Sequence, residues 1–347
     1  MKKLITRKKR IYPIPQSFYT YLDQFDRRYK IPLRYEDLHD YTESFPLYDS
    51  QGKDTLWSTL CYRPDHRQYL NSALVQLYAQ LKAGGHTSHL KHLEVDRIDL
   101  CLYANTQPFR VRMINKMNDN FDYFYIKRAD LSRIAGLELE HILSPNRISF
   151  LCEDDTLVEE HIYGIPGDSF LDRKLSQTPT NRVRLAKEFV KFNERCLIRL
   201  LGDMHAANFV IDITMDFEEN FYRVRAIDFD QQSYEGKIKV YRPQFFKQNL
   251  PFVQLVLAQL SRESITQYQH EEQVLLLRRS RSAVFRLDEF FNHLRDAELA
   301  PWEHVAALRE QLAQYYQYDR FLRCQSMMAM VATSLQYLEE RGVVSER

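Results

Sequence analysis

The hydrophobic period of this chain changes twice along its length, and those changes constrain the fold more than any single residue. Up to about residue 95 apolar positions recur at helical spacing. Phe18, Tyr21, Leu22 and Phe25 make one stripe and Leu70, Leu74, Leu77 and Leu81 another, which Gly84-Gly85 ends. From Arg97 the runs become short and bounded by turn residues. Residues 98–103, 109–115 and 121–127 are predicted strands, the last two joined by Met117-Asn118-Asp119-Asn120. A helix is predicted from about residue 130 to 143, stopped at Ser144-Pro145-Asn146. Residues 148–152 and 156–161 then predict two further strands. Beyond Gly164-Ile165-Pro166-Gly167 the period is helical again. The clearest helix there turns Val183, Ala186, Phe189, Val190, Leu197 and Leu200 inward and stops at Gly202. Two short strands, 209–213 and 222–227, and helices from about Pro243 onward complete an α+β pattern.

A length of 347 residues fits two lobes, or two lobes and an extension. Hydrophobic residues at 44% and aromatic ones at 13% are enough for a real core. The 48 basic and 47 acidic side chains nearly cancel, so no global field draws the chain to nucleic acid, and no nucleic-acid partner is expected. The basic head with Lys2, Lys3, Arg7, Lys8, Lys9 and Arg10 reads as a solvated terminus. Five scattered cysteines, odd in number and never paired as CxxC, fit reduced thiols and a cytoplasmic location. No apolar h-region follows the basic head, and the longest apolar run, near 253–260, is too short to span a membrane.

The densest chemistry lies in Leu201-Gly202-Asp203-Met204-His205-Ala206-Ala207-Asn208, followed after the strand pair by Ile227-Asp228-Phe229-Asp230. Phosphoryl transfer to a hydroxyl needs a carboxylate to orient or accept the attacking proton, and oxygen ligands to hold Mg²⁺ on the phosphates. Asp203 suits the first role. Asn208, five residues on, and Asp228, at the end of the returning strand, suit the second. Mg²⁺ keeps several waters, so one amide and one carboxylate suffice beside ATP.

The pattern G-D-x-H-x-x-N, a hairpin and then I-D-F-D resembles the catalytic and metal-binding loops of the protein-kinase-like superfamily. It is most similar to small-molecule kinases of the aminoglycoside phosphotransferase and choline kinase type. The resemblance covers about residues 97–232. It implies a bilobal α+β kinase-like fold: a helical N-terminal extension over 1–95, a small antiparallel β-sheet lobe over 96–163, and a mainly helical large lobe over 164–347. It also implies ATP and Mg²⁺ as cofactors, with Asp203 as catalytic base, Asn208 and Asp228 on the metal, and His205 shaping the loop.

Such a fold places a strand lysine on the phosphates and a helical glutamate beside it. Lys127 ends the third strand, and Glu138 shares the inward stripe of the next helix with Ile134 and Ile142, so Lys127 is expected to pair with Glu138, with Glu140 as fallback. Residues 159–162 resemble the interlobe linker, where Glu160 and Ile162 would meet adenine through the backbone.

Two departures stand out. The loop Ala104-Asn105-Thr106-Gln107-Pro108, where phosphate would be covered, has no glycine, and Leu201 occupies a position where the family usually has histidine. The reading is therefore an ATP- and Mg²⁺-dependent phosphotransferase acting on a hydroxyl, a small-molecule acceptor favoured. An atypical protein kinase, or a pseudokinase acting as a nucleotide-binding scaffold, is the alternative. A metallophosphoesterase reading of Gly202-Asp203-Met204-His205 lacks the later Gly-Asp and Gly-Asn-His loops it would need. The acidic turn Asp216, Glu218 and Glu219 is expected to be a solvated hairpin tip.

Overall fold

The computed structural model describes residues 9–83, 92–104, 106–173, 181–215 and 220–341. Lys2, Lys3, Arg7 and Lys8 of the basic head, the Gly84-Gly85 stop, Asn105 and the acidic turn at 216–219 lie outside them. The chain divides into two compact units. One comprises Pro13–Asp130 and Ile148–His161, the other Met1–Tyr12, Leu131–Arg147 and Ile162–Arg347.

The first unit holds α1 (Gln16–Gln24), β1 (Glu43–Tyr48), β2 (Asp54–Cys61), α2 (Pro64–Ala83), β3 (Leu93–Leu100), β4 (Phe109–Asn115), β5 (Phe121–Arg128), β6 (Phe150–Glu153) and β7 (Thr156–Glu160). Its strands form one seven-stranded antiparallel sheet in the order β1-β2-β3-β4-β5-β7-β6. Side chains alternate across a strand, so β4 buries Phe109, Val111 and Met113 and turns Arg110 and Arg112 to the other face. The buried face packs with Leu70, Leu74, Leu77 and Leu81 of α2 in one core with Ile98, Phe124, Ile126 and Val158. Each such leucine is worth roughly 1.5–3 kcal/mol when fully buried. On the opposite face the fully buried Asp99 accepts from Arg97 at 3.1 Å, Arg110 at 2.8 Å and the Thr59 hydroxyl at 2.8 Å.

Two corrections concern boundaries. Residues 1–95 were expected to be helical; α1 and α2 are, but β1 and β2 lie between them and join the sheet. That ribbon is mostly exposed, so it carries no alternating apolar signal. Its turn is local chemistry instead: the Asp49 carboxylate accepts from the amides of Gln51 and Lys53 at 2.9 Å, and Gly52 takes a φ of 76°. The second correction is α3 (Leu131–Leu143), which falls inside the expected strand-rich lobe of 96–163 but belongs to the helical unit. All its residues except His141 are buried, and it is held there by the ion pairs of Glu140 with Arg199 and of Glu138 with Arg286.

The second unit continues with β8 (Ile165–Pro166), α4 (Gly167–Arg173), α5 (Arg182–Arg199), β9 (Phe209–Met215), β10 (Asn220–Ala226), α6 (Leu250–Gln259), α7 (Arg262–Ser282), α8 (Val284–Leu294), α9 (Trp302–Tyr316) and α10 (Met327–Glu340). Helix α5 starts where the Asn181 side chain accepts from the Arg184 amide at 3.1 Å. It is central to the unit, packing on α6, α7, α10 and β10. Its inner face carries Ala186, Phe189, Val190 and Leu197 as expected, whereas Val183 is exposed. That face also buries charge: Glu272 of α7 takes Arg195 at 3.3 Å and Arg279 at 3.0 Å. Among the described residues no helix is long and apolar enough to cross a membrane.

Removing Glu272 would leave Arg195 buried and unpaired, a class of change that costs about 3–5 kcal/mol. Glu272→Ala is expected to lose that much in urea unfolding, whereas Arg320→Ala, in the exposed pair with Glu340, loses under about 1 kcal/mol. Equal losses would show that the α5–α7 charges contribute no more than a surface pair.

Candidate active site

Helix α5 ends because Leu200 adopts a left-handed conformation, φ 54°, while its amide and that of Leu201 still bond back to α5. The chain then enters a loop pinned from three sides. Leu201 pairs with Gln232 in an antiparallel bridge, the Gly202 amide donates to Gln231 O at 3.2 Å, and the Asp203 amide donates to Val240 O at 3.2 Å. Gly202 is required by this approach, since a Cβ there would meet Gln231 O at 2.9 Å and Val240 Cγ1 at 3.0 Å. Leu201, the departure from the family pattern, is fully buried, so the position serves as an apolar plug.

Asp203 has a φ of 59°, unusual for a residue other than glycine and tolerated best by Asp and Asn. Its carbonyl holds the conformation, accepting the His205 amide at 2.8 Å and the Asn208 side-chain amide at 2.9 Å. The Asn208 backbone amide donates in turn to His205 O at 2.8 Å, so Asn208 closes the loop at both ends. With its nitrogen committed to Asp203, Asn208 presents its Oδ1 as the acceptor end. His205 Nδ1 accepts from the Ala207 amide at 3.3 Å, and burial lowers its pKa, which favours the neutral ring that bond requires. That agrees with a loop-shaping histidine.

The strand pair supplies the other half. Phe209 faces Ala226 in the β9–β10 register, and one step beyond it the Ile227 amide donates to Asn208 O at 3.0 Å. Asn208 and Asp228 are thereby neighbours across the end of the hairpin. The Asp228 Oδ1 accepts from the Asp230 amide at 3.0 Å, and the Asp230 carboxylate pairs with Arg133 of α3 at 2.5 Å.

Asp203 feels this crowding. Burial, then the charges of Asp228, Asp230 and Glu235, push its pKa up to about 7. A carboxylate raised by like charges beside an amide oxygen and a second carboxylate is a donor set that suits a divalent cation. Among the described residues no group of three or more His, Cys, Asp or Glu side chains is placed to hold a metal. Asn208 Oδ1 and the Asp228 carboxylate are the oxygen donors here that could hold one.

The remaining expected residues are placed differently. Lys127 donates to Glu159 Oε2 at 2.7 Å across the β5–β7 pair, and Glu138 accepts from Arg286 Nε at 2.5 Å. Lys127 and Glu138 thus each have a partner within their own unit, and the fallback Glu140 is bound to Arg199. The i±4 argument failed because α3 is buried nearly all round, so no single inward stripe singles out one glutamate. Glu160 ends β7 in the first unit, its Oε1 accepting from the Ser149 amide at 2.7 Å, and Ile162 opens the second unit, buried.

Sequence reasoning missed Asn249. An asparagine before Leu250-Pro251 reads as a helix cap, yet its side chain caps nothing. It is fully buried and its Nδ2 donates to Met204 O and Pro243 O, both at 2.8 Å, which ties the Asp203 loop to the start of α6. Gly167 supports the same loop from another side: a Cβ there would meet Phe209 Cε2 at 2.5 Å and Ala206 O at 2.7 Å.

No family model matches the sequence, and no curated protein matches it. Among solved structures the chain is similar to "Titin kinase and its flanking domains", at 9% identity and a TM-score of 0.24 over 65% of this chain and 51% of that one. The match spans about half the length of that chain, and a score this low carries no argument about fold or activity.

The Asp203 environment makes a stability prediction. An unfolded aspartate titrates near about 4, so between there and about 7 the folded chain retains a proton that the unfolded chain has lost. Stability contributed by that proton falls as pH rises through the window. Without metal, Asp203→Asn should therefore melt above the wild type at pH 8, with the gap closing toward pH 5. A gap independent of pH would remove the electrostatic account.

Proposed function

We propose that the chain is a Mg²⁺- and ATP-dependent phosphotransferase of the small-molecule-kinase type, acting on a hydroxyl acceptor. The observation that supports it best is the convergence of Asp203, Asn208 and Asp228, through one hairpin register and one closed loop, around a carboxylate whose pKa is raised. Bound Mg·ATP would supply the γ-phosphoryl group and neutralise charge on its oxygens. Asn208 Oδ1 and the Asp228 carboxylate would hold the metal, and its positive charge would return Asp203 to the ionised form. Asp203 would then orient the acceptor hydroxyl and take its proton. Its rigid loop keeps the carboxylate from swinging away, which is where positioning contributes to rate.

In this reading Lys127 holds the α and β phosphates, and its bond to Glu159 is the contact that nucleotide must replace. The linker residues Glu160 and Ile162 keep their proposed backbone role toward adenine, and five scattered cysteines never spaced as CxxC suit the cytoplasmic setting proposed with it. The second reading, a nucleotide-binding pseudokinase, is favoured by one feature: Lys127 is already neutralised by a carboxylate on its own sheet.

Purified chain incubated with Mg·ATP and a panel of sugar, amino-alcohol and protein acceptors should release ADP with at least one of them. Asp228→Asn should lower that rate by at least about a hundredfold, as loss of one preorganised charge-stabilising group does, with the melting temperature retained. A rise in melting temperature with Mg·ATP but no ADP from any acceptor would select the pseudokinase reading. Full transfer by the variant would remove Asp228 from the site.

A further inference from the structure

We propose that Arg133 is a positioning residue for the Asp228 carboxylate, acting through Asp230; the inference rests on the phosphotransferase reading of the site. The linkage is a short relay. Arg133, almost fully buried on α3, directs its Nε and Nη2 at Oδ1 of Asp230, both at 2.5 Å. That contact fixes the Asp230 residue, and the Asp230 amide donates at 3.0 Å to Oδ1 of Asp228. The carboxylate proposed to hold the cation is thus oriented by a backbone donor whose own position is set from α3.

The helix has no slack against this loop. Ser132 donates its hydroxyl to Gln232 O, and Gly136 lies so close that a Cβ would meet Gln232 Cβ at 3.0 Å and Phe229 Cβ at 3.1 Å. A charged donor to a carboxylate makes a stronger, more directional bond than a neutral one. Arg133 also neutralises Asp230, so the negative charge that the cation meets is concentrated on Asp228 rather than divided between two carboxylates two residues apart. The lysine-holding role expected for this helix is absent from Glu138, which is bound to Arg286; the helix acts instead on the metal loop, through an arginine.

The relay can be separated from a purely architectural ion pair because α3 has other ties. Glu138 to Arg286, Glu140 to Arg199 and Ser132 to Gln232 all survive when the Asp230 charge is removed. Asp230→Asn, at a partly exposed side chain, is therefore the primary variant, with Arg133→Gln and the double variant as companions.

The measurement is Mn²⁺ uptake in the presence of a non-hydrolysable ATP analogue, followed by water-proton relaxation. Each single variant should raise the half-saturating Mn²⁺ concentration at least about tenfold, the effect typical of losing an outer-sphere partner of a ligand. The double variant should shift it no further than the larger single one, because both residues act along one path. Asp230→Asn should melt below the wild type without metal, because it takes the charge partner from the almost fully buried Arg133, but cooperatively and above the assay temperature, so that Mn²⁺ uptake is read on folded chain. Single variants with wild-type Mn²⁺ dependence, or shifts that add in the double, overturn the relay and leave the function intact. A wild-type chain that takes up no Mn²⁺ with nucleotide overturns the phosphotransferase reading itself.

Discussion

Gln232 is the side chain on which the site's architecture converges. It is almost fully buried, its amide donates to the Arg199 carbonyl at the end of α5 at 2.6 Å, and its backbone pairs with Leu201. Its own carbonyl takes the Ser132 hydroxyl of α3. The end of α5 leads into Asp203, the segment before Gln232 carries Asp228, and α3 carries Arg133. Through its carboxamide, its backbone bridge and its carbonyl, this one residue therefore ties together the three stretches of chain that carry Asp203, Asp228 and Arg133. Leaving those buried carbonyls without a donor would cost about 1–3 kcal/mol each, and the larger consequence would be a loss of register between the loops.

Around that junction, charge is handled in two contrasting ways. Arg195, Arg199, Arg279 and Arg286 are matched to Glu272, Glu140 and Glu138 inside the helical unit, so side chains that would be expensive to bury alone are neutralised by partners. Asp203 is the opposite case, with neighbours of its own sign and a carboxyl held near neutrality at ordinary pH. Local disagreement with the rule of matched charges is characteristic of functional sites, and it is what marks the Asp203 loop out from the rest of the helical unit. The glycines follow the same geography. Gly167 and Gly202 both stand where another part of the chain comes within 3 Å of a notional Cβ beside the Asp203 loop.

Much of this was legible in the sequence. The change of period gave β4, β5, β7 and α3 nearly to the residue but set the first strand at 98–103, where β3 runs Leu93–Leu100, and the loop after α5 and the hairpin that follows it were legible because both are local structures. What escaped was long-range or unpatterned. The partner of Glu138 lies 148 residues away and the partner of Glu140 lies 59 away, distances at which no periodicity speaks. The β1–β2 ribbon escaped because it buries only Leu60, too little to print an alternation. Asn249 escaped because its local context suggests a cap while its work is tertiary. Lys127 was found on the right strand but assigned to a helix, when the carboxylate it meets is on the adjacent strand.

The β9–β10 pairing also says which changes this region can absorb. Asn208 and Asp228 are neighbours because Phe209 faces Ala226, at the base of the hairpin, and nothing in that relation depends on how the chain turns at the far end. Insertions or deletions at the turn are therefore compatible with an unchanged site. A single extra residue within β10 is not: side chains change face with every step along a strand, so Val224 and Tyr222 would turn outward and the Asp228 segment would be displaced by one position against Asn208. Length variation among natural versions of this hairpin should accordingly be confined to its tip, and its base should be the part that evolution leaves in phase.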